Sequence, residues 1–171
     1  GMLKAAVRDD NPVLFFEHKL LYWTKGEVPE GDYIVPIGKA EVKREGKDIT
    51  IIAGSITVPR SLEAAEELKT YGIDAEVIDI KSLSPLDEET IVKSAIKTGK
   101  ILIVEDDNKN YGWGAEVLSR LVESEAFDYL DYPIQRLAGK NVPIPYNPQL
   151  ERAAVPQTED IVKKVKSIFD K

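Results

Sequence analysis

Gly112 and Gly114 in Tyr111-Gly112-Trp113-Gly114-Ala115-Glu116 are the first residues with chemical potential, because glycines at the mouth of a helix leave N–H groups open to an anion such as phosphate. The third glycine of a dinucleotide fingerprint is missing, and Glu116 puts a negative charge in the first helical turn, where a phosphate would otherwise sit. A tight turn with close backbone contact is the competing reading. Glu105-Asp106-Asp107 offers carboxylates of the kind that hold magnesium or act as a general base. A hard cation needs oxygen ligands from converging segments, and only one acidic segment is evident, so a strand end entering a solvated loop is the plainer reading. Ser55 follows an apolar run, the place of a nucleophile. However, Gly54-Ser55-Ile56 lacks the Gly-x-Ser-x-Gly elbow, and the lone histidine, His18, lies far upstream.

The residue types that are missing narrow the chemistry further. No cysteine is present, which removes disulfides, thiolate catalysis and thiolate metal sites. One histidine cannot build a histidine-rich metal centre. Pro143-Ile144-Pro145-Tyr146, followed by Pro148 and Pro156, reads as a rigid extended stretch that packs or docks. No residue is therefore assigned a catalytic, cofactor-binding or metal-binding role.

The elements that must position these residues follow from periodicity and punctuation. Met2 to Arg8 reads as the last turns of a helix, and Val13-Leu14-Phe15-Phe16 as a buried strand. Glycines and prolines between Lys19 and Gly38 mark a connector. The turn Glu45-Gly46-Lys47 joins an alternating segment at 40–42 to the strand 49–53 and predicts a β-hairpin. Leu62, Ala65, Leu68 and Tyr71 fall at helical spacing before Gly72. A strand at 77–80, a helix opened by Asp87 and closed at Gly99, a strand at 100–105, a helix over 112–122, a strand at 134–137 and a last helix from Thr158 complete the series. Alternating strands and helices imply a three-layer α/β/α fold with a mostly parallel sheet of about five strands and one antiparallel edge strand.

A chain of 171 residues, 43% hydrophobic and 31% charged, has the make-up of an ordinary globular domain. Its net charge of −7 argues against nucleic acid and anionic membrane surfaces as partners. No apolar run approaches the roughly 20 residues of a membrane span, and a cytoplasmic location is expected.

Ordered together, these segments resemble the beta subunit of the decarboxylating component of 2-oxo acid dehydrogenase complexes, a family with pyruvate, branched-chain and acetoin branches. Asp9-Asp10-Asn11-Pro12-Val13 with Phe16-Glu17-His18-Lys19-Leu20-Leu21-Tyr22 looks like the end of the family's pyrimidine-binding domain. Tyr33-Ile34-Val35-Pro36-Ile37-Gly38-Lys39-Ala40 looks like the linker into a transketolase-like C-terminal domain. Glu76-Val77-Ile78-Asp79, Leu83-Ser84-Pro85-Leu86-Asp87, Gly112-Trp113-Gly114-Ala115-Glu116-Val117 and Pro143-Ile144-Pro145-Tyr146 continue the likeness. The chain departs from the family at Lys81, usually arginine, at Asn141, usually aspartate, and at Tyr111, often glycine.

The resemblance implies residues 1–22 as a remnant of the pyrimidine-binding domain, 23–38 as linker and 39–171 as the C-terminal domain. It implies an enzyme that decarboxylates a 2-oxo acid with thiamine diphosphate and magnesium, both held outside this chain; Gly31-Asp32-Tyr33 is not the family's Gly-Asp-Gly motif. The expected role of the chain is assembly, as a homodimer that works with an alpha subunit and an acyltransferase component. Asp131 and Lys171 are the residues placed at the acyltransferase docking surface, and Gly112, Trp113, Gly114 and Glu116 form a candidate interface turn. The alternatives are the C-terminal domain of another transketolase-like enzyme, or a free-standing nucleotide-binding or interaction module.

Overall fold

The computed structural model describes residues 1–170. Five strands, β1 (Glu41–Arg44), β2 (Ile49–Ala53), β3 (Ala75–Asp79), β4 (Ile101–Asn108) and β5 (Gln135–Gly139), form one sheet in the order β1-β3-β2-β4-β5. All neighbouring pairs are parallel except β1 with β3. Six helices accompany them: α1 (Met2–Val7), α2 (Thr57–Lys69), α3 (Glu88–Thr98), α4 (Trp113–Glu123), α5 (Pro148–Ala154) and α6 (Thr158–Phe169). The expected three-layer architecture with one antiparallel edge strand is present.

The central strands β2, β3 and most of β4 are buried on both faces, and the two-residue period divides the side chains of the sheet between two cores. Ile49, Ile51, Leu102 and Val104 meet Leu68 of α2 and Ile161, Val165 and Ile168 of α6. Ile52, Ile101 and Ile103 meet Ile91 and Ala95 of α3 and Val117 and Leu121 of α4. Each large aliphatic side chain taken fully out of water contributes about 1.5–3 kcal/mol, so β2 and β4 anchor the fold. Helix ends are set locally. Asp87 caps α3 through its bond from the Thr90 N–H at 3.3 Å, and Gly99 ends the helix with φ 64°.

Several expectations change. β1 and β2 do not form a hairpin; β3 lies between them, and Val42 pairs with Ile78. The Glu45-Gly46-Lys47 link instead crosses the start of β3, where a Cβ on Gly46 would come within 2.7 Å of the Ala75 carbonyl oxygen. Residues 13–16 form no strand, because no neighbouring strand satisfies their backbone, and Leu14 and Phe16 are exposed. The stretch after Pro145 is not extended throughout. Asn147 accepts from the N–H groups of Gln149 and Leu150, and Pro148 takes the first position of α5.

Candidate functional site

In a sheet of this order the crevice for a ligand lies beyond the carboxyl ends of β2 and β4, where the winding direction reverses. The Gly112-Trp113-Gly114 turn sits beside that edge, with Trp113 Cζ2 3.5 Å from where a Cβ on Gly54 would lie. Its helix N-terminus is already filled. Glu105, fully buried on β4, accepts the Gly114 N–H at Oε2 (2.7 Å), and its Oε1 pairs with Arg136 of β5 at 2.5 Å. Arg136 donates a further bond to the Lys109 carbonyl at 2.9 Å. The glycines make room for this carboxylate, since a Cβ at Gly114 would meet Glu105 Oε1 at 2.7 Å and one at Gly112 would meet Oε2 at 2.5 Å. The turn therefore serves an internal anion. Glu116 lies in the first turn as expected, exposed and paired with Arg120 at 2.7 Å.

The three acidic residues of β4 diverge. Glu105 points inward, Asp106 faces His18 Nε2 at 3.8 Å, and Asp107 is exposed with Oδ1 accepting the Asn108 N–H at 2.7 Å. Alternation along a strand turns Asp106 to the other face, and the irregular register between Val104 and Asn108 accompanies the departure of Asp107; among the described residues no three His, Cys, Asp or Glu side chains gather to hold a metal. His18 Nδ1 accepts the Leu20 N–H at 3.3 Å, so both ring nitrogens are occupied away from Ser55. Ser55 itself is exposed, with φ 55° in the β2–α2 turn.

At the end of β3, Lys81 has φ 52° and pairs with Glu41, which is the carboxylate partner for the position usually occupied by arginine. Burial pushes the Asp79 carboxyl above its ordinary range, against the opposing bond from the Lys81 N–H. Burial also opposes ionisation of Asp87, but bonds from Thr90 and from the Ala40 N–H outweigh it and hold that carboxyl below the usual range.

Asp131 lies beside the start of β4, at the other end of the strands from that crevice. Its N–H donates to the Gly99 carbonyl at 2.8 Å, its carboxylate stands 3.6 Å from Lys100 Nζ, and its side chain is 70% exposed. Lys100 Nζ sits 5.5 Å from the Phe169 ring, which brings the end of α6 to the same region. Lys171 lies outside the described residues.

Tyr111 is the residue that the sequence motifs left unexplained. Its φ of 63° is left-handed, which gives a physical reason for glycine at this position in the family. Asn141, where the resemblance leads one to expect aspartate, accepts the Asn110 N–H at 3.0 Å and ties the loop after β4 to the loop after β5. Neither feature was readable from the sequence, because both depend on how two distant loops meet.

A mostly parallel α/β/α sheet with one reversed edge strand defines the class of domain to which these loops belong. Residues 38–161 match the family described as "Transketolase, C-terminal domain", and the chain belongs to that family. It is 51% identical to the mitochondrial pyruvate dehydrogenase E1 component subunit beta of Ascaris suum, over 99% of this chain and 48% of that protein. It is 53% identical to the 2-oxoisovalerate dehydrogenase subunit beta of Bacillus subtilis, over 89% of this chain and 47% of that protein. The chain thus spans about half the length of these relatives. A solved structure described as "Split gene transketolase, inactive beta4 tetramer" superposes with a TM-score of 0.70 at 31% identity, over 85% of this chain and 46% of that one.

Proposed function

We propose that this chain is the assembly half of the beta subunit of a thiamine-diphosphate-dependent 2-oxo acid dehydrogenase of the pyruvate dehydrogenase type. One observation carries the reading. The likeness to beta subunits runs over 99% of the chain and so includes residues 1–37, outside the C-terminal domain match. The identities of 51% and 53% to dehydrogenase beta subunits, against 31% to the split transketolase, favour this branch over another transketolase-like enzyme.

Residues 1–22 are then the tail of the pyrimidine-binding domain, 23–38 a linker and 39–171 the C-terminal domain. Phe16 and Trp23, 88% and 86% exposed, support this division, because such side chains need a surface that the C-terminal domain does not provide. The whole enzyme would decarboxylate a 2-oxo acid on thiamine diphosphate with magnesium. The residues described here do not fit that group, since Glu105 fills the helix N-terminus and the carboxylates of β4 diverge. Cofactor binding belongs to an alpha subunit and to the remainder of the beta subunit.

The role of this chain is to pair with a second copy and to dock the acyltransferase component near Asp131 and Lys171. The beta4 assembly named for the similar structure supports self-association. Among the described residues no helix is long and apolar enough to cross a membrane, and the net charge of −7 disfavours nucleic acid. A cytoplasmic location belongs to the same proposal, although the Ascaris suum relative is named mitochondrial.

Calorimetry and reconstitution test the reading. The chain alone takes up no thiamine diphosphate in the presence of magnesium, and co-production with the missing half of the beta subunit and an alpha subunit yields 2-oxo acid decarboxylation. Tight magnesium-dependent binding by the chain alone would overturn it.

A further inference from the structure

Arg8 pairs with Asp32 at 2.9 Å and Lys4 Nζ donates to the Gly31 carbonyl at 3.3 Å, so residues 9–30 leave and return at one place and form a closed arc. No residue of that arc is buried, and His18 and Leu21 alone are half-buried. Bonds from Asn11 to Asp9 and from the Tyr22 hydroxyl to Glu17 at 3.0 Å stay within it. His18 is where the arc meets the sheet. Its Nδ1 accepts the Leu20 N–H at 3.3 Å and caps a single 3₁₀ turn, Lys19–Trp23, while Nε2 stands 3.8 Å from Asp106 Oδ2 at the end of β4.

These two contacts call for different protonation states. An acceptor at Nδ1 requires a neutral ring with its hydrogen on Nε2. A proton added from solvent at Nδ1 sets that nitrogen against the Leu20 N–H as donor against donor, and it gives the ring a charge opposite to that of Asp106. We infer that His18 is a proton-driven switch: neutral, it caps the turn that carries Trp23; protonated, it releases that turn and latches the arc to β4 through Asp106. The surrounding charges permit both states. Asp106 and Asp107 of β4 favour the charged ring, neighbouring Lys19 opposes it, and Glu17 is engaged by Tyr22. Arg60 of α2 feels the Asp106 charge, with Glu151 and Arg152 of α5 acting on it in opposite senses, so Asp106 keeps a counter-charge when the ring is neutral. Imidazole changes charge between about pH 5 and 8, so the cap is present at the upper end and lost as pH falls, and the latch behaves in the opposite way. Leu20, Tyr22 and Trp23 are exposed on the turn, and the switch therefore alters how these rings and the leucine are presented. It does not depend on the function proposed above.

Nuclear magnetic resonance on the whole 171-residue chain tests the switch, because one histidine gives one set of imidazole signals. At about pH 8 the ring is expected as the Nε2–H tautomer, and on acidification to about pH 5 the Leu20 amide signal is expected to shift in step with ring protonation. His18→Asn, which can cap without carrying charge, should hold the Leu20 amide in its alkaline position throughout, and His18→Lys, charged without a cap, should remove the pH dependence from the other side. Backbone amide relaxation reads the latch. Asp106→Asn should leave residues 13–23 as ordered as in the wild type at the higher pH, and those residues should lose order at the lower pH. An Nδ1–H tautomer at the higher pH, or a Leu20 amide that moves with pH in His18→Asn as it does in the wild type, overturns the switch. So does an Asp106→Asn chain whose relaxation matches the wild type at the lower pH.

Discussion

Glu105 Oε2 accepts the Gly114 N–H at 2.7 Å, so a strand carboxylate occupies the helix N-terminus that would otherwise attract a ligand anion. The two residues depend on each other, because a Cβ at position 114 would stand 2.7 Å from Glu105 Oε1 and 2.9 Å from Ile103 Cγ2. Gly114→Ala is expected to destabilise the domain by about 1–3 kcal/mol through overpacking. Gly26→Ala, where a Cβ meets nothing within 4 Å, should stay within about 0.5 kcal/mol of the wild type. Urea denaturation of both variants measures the difference, and equal midpoints would remove the steric account.

Asp79 gives a pH dependence with a definite sign. Burial raises its folded-state value above the unfolded one, so the folded chain binds the proton more tightly. Stability from this group is therefore present below the unfolded value, near pH 4, and is lost as pH rises through the raised folded value. Asp79→Asn removes the ionisation, and its amide oxygen can still accept the Lys81 N–H, now 3.1 Å from Asp79 Oδ1. The variant is expected to melt higher than the wild type near neutral pH, and the gap should close as pH falls below about 4. Thermal melts across that range would refute the account by showing a gap that widens on acidification.

Legibility in the sequence followed the range of each interaction. Leu62, Ala65 and Leu68, the Asp87 cap, the Gly99 stop and the apolar run at 101–104 are local signals, and each marks an element that formed. Strand order is not local, since β1 and β2 are sequence neighbours whose best hydrogen-bonding partner, β3, comes later in the chain. The glycine turn at 112–114 was visible as a helix mouth. Its anion was not, because Glu105 looks like its acidic neighbours until Arg136, 31 residues on, draws it inward. Pro148 signalled a break in the chain although it opens α5, because its meaning depends on Asn147 capping the next turn.

Asp131 tests the proposed docking surface. Its ion pair with Lys100 is exposed at 3.6 Å, a class of contact worth about 0–1 kcal/mol. Asp131→Ala is expected to leave the melting temperature nearly unchanged while weakening capture of the acyltransferase component about tenfold or more. Added salt should erode the wild-type affinity more steeply than that of the variant. Surface plasmon resonance at two ionic strengths checks this, and equal affinities for wild type and variant would remove Asp131 from the docking surface.

Gly46 tests the strand order directly. In a hairpin its turn would face solvent and accept a methyl group freely. Here the link crosses the start of β3, and a Cβ would come within 2.7 Å of the Ala75 carbonyl oxygen. That obstacle is backbone in a paired strand, with Ile49 in register with Ala75 on its other side, so it cannot move aside without disturbing both strands. Gly46→Ala is therefore expected to cost about 1–3 kcal/mol, and Gly46→Val more, because the added methyls enlarge the same collision. Chemical denaturation of the pair supplies the measurement. Near-wild-type stability for both would mean that the link does not cross β3, and that β1 lies elsewhere in the sheet.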